Sequence, residues 1–226
     1  MEIKKLYLDS KDVTKQFHFF KNILGFQVEQ IADDEILLYS GANQVYFKNA
    51  DTDYVYHYAF LIPTGTLQSA IDFLEKKEIE LLQYKGKKVI DFTTGQAIYF
   101  YDADGNIGEF IERPSLGISS DLPFSIDQVV RLNEIGLPVK NPLTMSNTLV
   151  EEYGIQPIEP AIMREDFCWV GDYSGVLIVP KIGRNWLPTT IPSTLNNFSI
   201  VYQENRKEYH LNFTSDKNGE IKISSN

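Results

Sequence analysis

The chain has 226 residues, of which 43% are hydrophobic and 13% aromatic, and its 31 acidic and 21 basic side chains give a net charge of −10 at pH 7. This apolar content is enough for a buried core and excludes a globally disordered chain. The acidic balance argues against nucleic-acid binding. The longest apolar runs, such as Tyr54–Pro63, are far shorter than the roughly 20 residues that a membrane-spanning helix needs.

The first predicted unit lies at the start of the chain. Alternating apolar residues predict a strand at Ile3–Leu8, and Asp12 begins a helix whose apolar residues recur at helical spacing until Gly25. Three short strands are then predicted at 26–31, 35–40 and 44–48. The order of the elements is therefore β-α-β-β-β.

The same order recurs in the next segment. A strand is predicted at Val55–Ile62, Thr64 is the expected helix cap, and Leu67–Leu74 carries an apolar stripe. The strands that complete this second copy are predicted at 80–83, 90–93, 96–101 and 107–112.

A third, more divergent copy follows. Glu134–Val139 is predicted as a strand, and a helix begins at Asn141 and ends at Gly154. The interval from Asn141 to Gly154 is 13 positions, as is the interval from Asp12 to Gly25, which supports a true repeat. Later strands are predicted at 166–171, 175–179, 198–203 and 208–213.

The boundaries between the copies predict the domain organisation. We expect one domain at 1–113, made of two modules at 1–50 and 53–113. Residues 114–124 are rich in Pro, Gly and Ser and are predicted as a linker. The divergent third module and the C-terminal tail then occupy 125–226.

The signals for cellular location favour the cytoplasm. Met1–Asp9 contains two lysines but no apolar stretch follows it, which is unlike a secretory signal. Cys168 is the single cysteine, and its apolar neighbours favour a buried, unreactive thiol. We therefore expect a cytoplasmic protein.

Four segments share their residue order with a known superfamily. Segment 11–26 contains Lys-Asp-Val, Phe-Phe and Ile-Leu-Gly-Phe in that order, 57–60 is His-Tyr-Ala-Phe, and 102–110 contains Asp-Ala-Asp-Gly-Asn and Glu-Phe. Segment 134–154 has the outline of a further module. Together they resemble the vicinal oxygen chelate superfamily of glyoxalases, bleomycin resistance proteins and extradiol dioxygenases, although Ala103 stands where the superfamily has proline.

The resemblance implies an α+β fold of repeated βαβββ modules, two of them paired into a cleft-bearing domain, plus a third divergent module. It also implies that His57 and Glu109 are the metal ligands of the second module, and imidazole and carboxylate donors suit a divalent ion. The equivalent positions of the first module hold Lys5 and either Gln44 or Tyr46, and a lysine cation repels a metal. Two ligands alone are too few for a tight metal site. The sequence is therefore compatible both with a divalent metal as cofactor and with no cofactor.

Three interpretations of the cleft follow from these residues. The first is a small-molecule-binding protein of the glyoxalase or bleomycin-resistance type whose metal site is degenerate or absent. In this protein Lys5 would form an ion pair with Glu109 or bind an anionic ligand. The second is a metal-dependent lyase, isomerase or ring-cleaving dioxygenase that uses His57 and Glu109. The third is a structural or partner-binding role with an occluded cleft, in which His57 is a hydrogen-bonded sheet residue. We predict the first.

Aromatic residues are frequent on the strands of the cleft and would suit a planar ligand, but aromatic residues also favour strands in general. The expected ligand is a small molecule. Its predicted contacts are Lys5, Tyr7, Tyr46, His57 and Glu109. Glu134 occupies the position of the third module that is equivalent to Lys5. A third module without a partner leaves an apolar half-cleft exposed, so we also expect a homodimer.

Overall fold

The structure is a computed structural model and describes residues 1–158 and 161–225. Glu159, Pro160 and Asn226, which belong to the predicted third module and tail, lie outside the described residues. In the described residues strands predominate over helices, and no helix has the length and apolar character needed to cross a membrane. The α+β class is confirmed.

The elements follow the predicted repeats. The first module contains β1 (Glu2–Ser10), α1 (Val13–Phe17) continued by a π-helical segment (His18–Leu24), β2 (Gln27–Ala32), β3 (Glu35–Ser40) and β4 (Asn43–Asn49). The second contains β5 (His57–Ile62), α2 (Leu67–Lys76), β6 (Leu81–Leu82), β7 (Ile90–Phe92), β8 (Gly95–Tyr101) and β9 (Ile107–Glu112). The third contains β10 (Arg131–Gly136), α3 (Pro142–Tyr153), β11 (Phe167–Asp172) and β12 (Gly175–Pro180), and three more strands follow: β13 (Phe198–Glu204), β14 (Lys207–Ser215) and β15 (Ile221–Ser225).

These strands form two sheets. In the first sheet the order is β15-β14-β13-β1-β4-β3-β2. In the second sheet it is β11-β12-β10-β5-β9-β8-β6, and β7 also pairs with β8. The first module therefore joins the last three strands, and the second module joins the third.

The pairing of the modules differs from the expectation. Instead of the first module facing the second across one cleft, β10 pairs antiparallel with β5, and β13 pairs antiparallel with β1. The third module is thus not left alone, and the reason given for a homodimer does not hold. The repeat pattern identifies each module, but the choice of neighbour depends on contacts between residues far apart in the sequence.

An aromatic core connects the two sheets. Phe20 and Phe47 of the first module pack with ring centroids 5.4 Å apart, and Phe26 lies 5.4 Å from Phe60 of the second module. Along β5, Tyr58 and Phe60 face this core. Because side chains alternate along a strand, His57 and Ala59 point to the opposite face of the second sheet.

Helix α2 begins differently from the prediction. The expected cap, Thr64, forms a bridge with Ser119 instead. The Glu112 carboxylate of β9 accepts hydrogen bonds from the backbone N–H groups of Thr66 (2.8 Å) and Leu67 (2.7 Å). A buried carboxylate thus satisfies the free N–H groups at the start of the helix and complements its dipole.

The Asp-Ala-Asp-Gly-Asn segment forms the turn between β8 and β9. The buried Asp102 carboxylate accepts hydrogen bonds from Tyr58 Oη (2.7 Å), Gln16 Nε2 (2.8 Å) and the backbone and side-chain nitrogens of Asn106 (both 2.8 Å). This carboxylate therefore ties the first helix to the turn and to β5.

Candidate functional site

Three ionisable side chains meet where the second and third modules join. Glu109 of β9 is in register with Ala59 of β5, and Glu134 of β10 is in register with the same alanine from the other side. His57 lies two residues before Ala59 and therefore on the same face. The small alanine side chain leaves the space between the two carboxylates open to the imidazole.

The geometry of this triad is compact. His57 Nε2 lies 3.4 Å from Glu109 Oε2 and 3.8 Å from Glu134 Oε2. One donor atom from each residue lies within 4.8 Å of the other two. The three residues are 6%, 1% and 4% exposed, so the triad is nearly closed to bulk water.

Each member of the triad has a further partner that orients it. His57 Nδ1 lies 3.2 Å from the carbonyl oxygen of Ile107. Since a carbonyl oxygen only accepts, Nδ1 donates in this contact, and Nε2 is the ring nitrogen that faces the two carboxylates. The Tyr99 hydroxyl donates to Glu109, and the Arg113 guanidinium donates to Glu134 Oε1. Such outer contacts are typical of metal ligands.

Arg113 is held on all sides. Its Nε donates to Asn133 Oδ1 (2.7 Å) and its Nη1 to Thr94 Oγ1 (3.1 Å). The guanidinium carbon lies 5.9 Å from the Trp169 ring centroid and 5.4 Å from that of Tyr173. Arg113 is 1% exposed, so its charge needs the neighbouring Glu134 carboxylate.

The two carboxyl groups differ in acidity. Burial and the negative charge of Glu134 raise the pKa of Glu109 well above its usual value. Burial also acts to raise the pKa of Glu134, but the charge of Arg113 and the contact with His57 outweigh it and lower that pKa. Of the two carboxyl groups, Glu109 therefore holds its proton more firmly, whereas Arg113 favours the charged form of Glu134.

The triad lies in the wall of a cavity of about 300 Å³ on this face of the second sheet. The cavity is bounded mainly by apolar and aromatic side chains. They include Phe92, Tyr99, Ile111, Ile162, Phe167, Trp169, Ile178, Pro180, Trp186 and Leu187. The Trp186 ring lies 5.1 Å from the His57 ring, and Arg184 and Asn185 add polar groups. An apolar cavity with a small polar cluster is the usual form of a small-molecule site.

The structure divides the predicted ligand contacts between the two sheets. His57 and Glu109 are together, whereas Lys5 and Tyr7 of β1 and Tyr46 of β4 belong to the first sheet. Tyr7 and Tyr46 stack with centroids 4.5 Å apart and line a separate groove of about 200 Å³. Among the described residues no ion pair joins Lys5 to Glu109, so the expected pairing of these two side chains is wrong. The error follows from the assumed pairing of the first two modules.

Two residues of the site had no predicted role in it. The sequence places Glu134 at the first-strand position of the third module, but only the pairing of β10 with β5 brings it to His57. Arg113 has no local signal, because its partners Thr94, Asn133 and Glu134 lie 19 to 21 positions away.

Comparison with solved structures confirms the fold. A Bacillus subtilis protein provisionally described as a dioxygenase matches 100% of this chain and 84% of its own, with a TM-score of 0.60 and 15% identity. A lactoylglutathione lyase from Agrobacterium tumefaciens covers 49% of this chain and 92% of its own, with a TM-score of 0.42 and 15% identity. A fosfomycin resistance protein from Mesorhizobium loti covers 48% of this chain and 88% of its own, with a TM-score of 0.37 and 16% identity. No protein-family model and no curated protein matches the chain.

The whole-chain match shows that this chain shares its overall fold with the Bacillus subtilis protein. At this level of identity the likeness concerns the fold alone. The roles of individual residues must therefore be argued from the site itself.

Proposed function

We propose that this protein binds a small organic molecule in the aromatic cavity, next to a divalent metal ion held by His57, Glu109 and Glu134. The observation that carries the proposal is the convergence of three donor atoms from three strands at the wall of an otherwise apolar cavity. This keeps the predicted small-molecule function and changes the expectation for the metal.

The residues fit a first-row divalent metal. The site offers one imidazole nitrogen, His57 Nε2, and two carboxylates, and three protein ligands with open positions are typical of catalytic metal centres. The degenerate site was predicted because the first module lacks ligands. That module does not contribute to this cavity, and Glu134 supplies the third ligand.

A bound metal would act as a Lewis acid toward adjacent oxygen atoms of the organic ligand. The chain's own contribution is to hold the planar part of the ligand between Trp186 and Tyr99 and to exclude water. A lyase, isomerase or ring-cleaving dioxygenase is the class of enzyme that such a centre serves.

A metal-free binding protein is the second candidate. It is favoured by the charge balance of the site, since burial disfavours the charged form of Glu109 and the Arg113 charge is paired with Glu134. Metal analysis separates the two candidates.

The decisive experiment is elemental analysis of protein purified without chelator and then incubated with Fe(II), Mn(II), Co(II) or Zn(II). We expect about one ion per chain in the wild type and less than about a tenth of that in His57→Ala and Glu134→Gln. His18→Ala, which changes an exposed histidine on the first helix, is the matched control and should retain the metal. Equal metal content in wild type and His57→Ala would contradict the proposed centre.

Binding of the organic ligand can be followed by tryptophan fluorescence, because Trp169 and Trp186 both line the cavity. Catechol is a suitable probe, since it is planar and carries two adjacent oxygens. We expect saturable quenching in the metal-loaded wild type and its loss in Trp186→Ala. Quenching that is the same in both proteins would place the probe elsewhere.

The cytoplasmic location and the homodimer also stay part of the proposal. The support for a dimer is now the half-buried aromatic face around Tyr7 and Tyr46 on the first sheet. Light scattering at micromolar concentration tests it, and a mass of 25.9 kDa would contradict a dimer.

A further inference from the structure

The two oxygens of Glu134 face different partners. Oε1 accepts a hydrogen bond from Arg113 Nη2, while Oε2 lies 3.8 Å from His57 Nε2. One oxygen is thus hydrogen-bonded to Arg113, and the other points to the centre of the triad.

Arg113 cannot easily give up this contact. The guanidinium is 1% exposed, and it donates to Asn133 and Thr94 as well as to Glu134. A rotation away from Glu134 would break these hydrogen bonds in a region that water does not reach, and it would leave a buried charge without a partner. Glu134 Oε1 therefore stays occupied when a metal binds at Oε2.

We infer that Arg113 is a positioning residue that limits Glu134 to one metal-binding oxygen and thereby makes the centre select first-row transition ions over Ca²⁺. This inference rests on the proposed metal function. Ca²⁺ takes six to eight oxygen ligands and commonly binds a carboxylate through both oxygens. A triad that offers one nitrogen and a carboxylate restricted to one oxygen suits a transition ion better.

The selectivity of the centre between Ca²⁺ and a transition ion distinguishes the positioning effect of Arg113 from the effect of its charge. The positive charge of Arg113 weakens the attraction of the site for every divalent cation by a similar factor, since all carry the same charge. The freed Oε1, in contrast, benefits Ca²⁺ more than a transition ion. The ratio of the two dissociation constants therefore reports on the positioning, and a purely structural role of Arg113 would leave that ratio unchanged.

The experiment uses the full chain after chelator treatment, with Co²⁺ as the probe and its visible absorption as the readout. Competition with Ca²⁺ gives the ratio of Kd for Ca²⁺ to Kd for Co²⁺. We expect Arg113→Met to lower this ratio by about tenfold, because the freed Glu134 Oε1 adds an oxygen ligand that Ca²⁺ uses more readily than Co²⁺. Arg131→Met, on the same strand as Glu134 but paired with Glu2, is the control and should keep the wild-type ratio.

A milder variant covers the case in which Arg113→Met does not fold. Thr94→Val removes one anchor of the guanidinium, and we expect the ratio to fall by less than in Arg113→Met, because the hydrogen bonds to Asn133 and Glu134 remain. An unchanged ratio in every folded variant of Arg113 and Thr94 would overturn the inference.

Glu134→Gln distinguishes an error in the role of Arg113 from an error in the proposed metal function. If the wild type binds Co²⁺ and Glu134→Gln does not, the metal centre stands, and the ratio alone decides the role of Arg113. If the wild type does not bind Co²⁺, or Glu134→Gln binds it equally well, both the centre and the inference are wrong.

Discussion

Replacing Glu109 with glutamine is expected to make the metal-free protein more stable at neutral pH. The Glu109 carboxyl is fully buried beside Glu134, and its pKa is raised well above the usual 4.5. The folded state therefore holds a proton that the unfolded state releases. Glutamine has a similar shape, accepts from the Tyr99 hydroxyl and carries no charge.

The size of the effect follows from proton linkage. Between pH 4.5 and the folded-state pKa, the folded chain binds one proton more than the unfolded chain, so the free energy of unfolding falls as pH rises. The slope is at most about 1.4 kcal/mol for each pH unit. Glu109→Gln has no carboxyl at this position, so its free energy of unfolding does not fall in this way. The difference in the free energy of unfolding between the variant and the wild type should therefore grow by up to about 1.4 kcal/mol for each pH unit, until the pH reaches the folded-state pKa.

Urea unfolding of the chelator-treated proteins at several pH values between 5 and 8 measures this difference. Addition of a metal that binds should reverse the order, because only the wild type gains free energy from the ion. Parallel pH profiles for wild type and Glu109→Gln would show that Glu109 is ionised in the folded protein and would refute the reasoning.

Glu134→Gln provides a control of opposite sign. Arg113 lowers the pKa of Glu134, so the ionised carboxylate stabilises the folded protein above pH 4.5, and this contribution is lost as pH falls through the lowered pKa. The variant leaves the Arg113 charge buried without its partner, at a cost of about 3–5 kcal/mol near neutral pH.

Three further substitutions test the surrounding structure. Glu112→Ala removes the acceptor at the start of α2 and should lower the free energy of unfolding by about 1–2 kcal/mol in thermal or urea unfolding. Asp102→Ala leaves several buried donors unpaired and should cost about 3–5 kcal/mol by the same measurement, with a wild-type value counting against the role described for this carboxylate. Gly136→Ala places a methyl group 2.5 Å from the Trp186 ring, and the resulting shift of the indole should weaken catechol quenching by about tenfold. Unchanged quenching would mean that the ring does not bound the ligand.

The local elements were predictable because their signals are local. The helices that end at Gly25 and Gly154 were predicted from apolar spacing and a terminal glycine, and both glycines adopt positive φ values of 92° and 71°. The strands were predicted from alternation. Thr64 was misplaced as a cap because the true acceptor, Glu112, comes from a distant strand.

The site was predictable only in part. His57 and Glu109 belong to one module and follow from its motifs, which are short-range. Whether Lys5 or Glu134 completes the set depends on which first strand lies beside β5, and both occupy equivalent positions in their modules. The choice of which modules pair edge to edge depends on packing contacts throughout the chain. These contacts join residues far apart in the sequence, and a single sequence does not reveal them.

The triad crosses the antiparallel seam between β5 and β10, and this has a thermodynamic consequence. An ion bound to His57, Glu109 and Glu134 would act as a clamp that links two segments far apart in the chain, so opening the seam would require its release. The resistance of the protein to heat should then rise with the logarithm of free metal concentration.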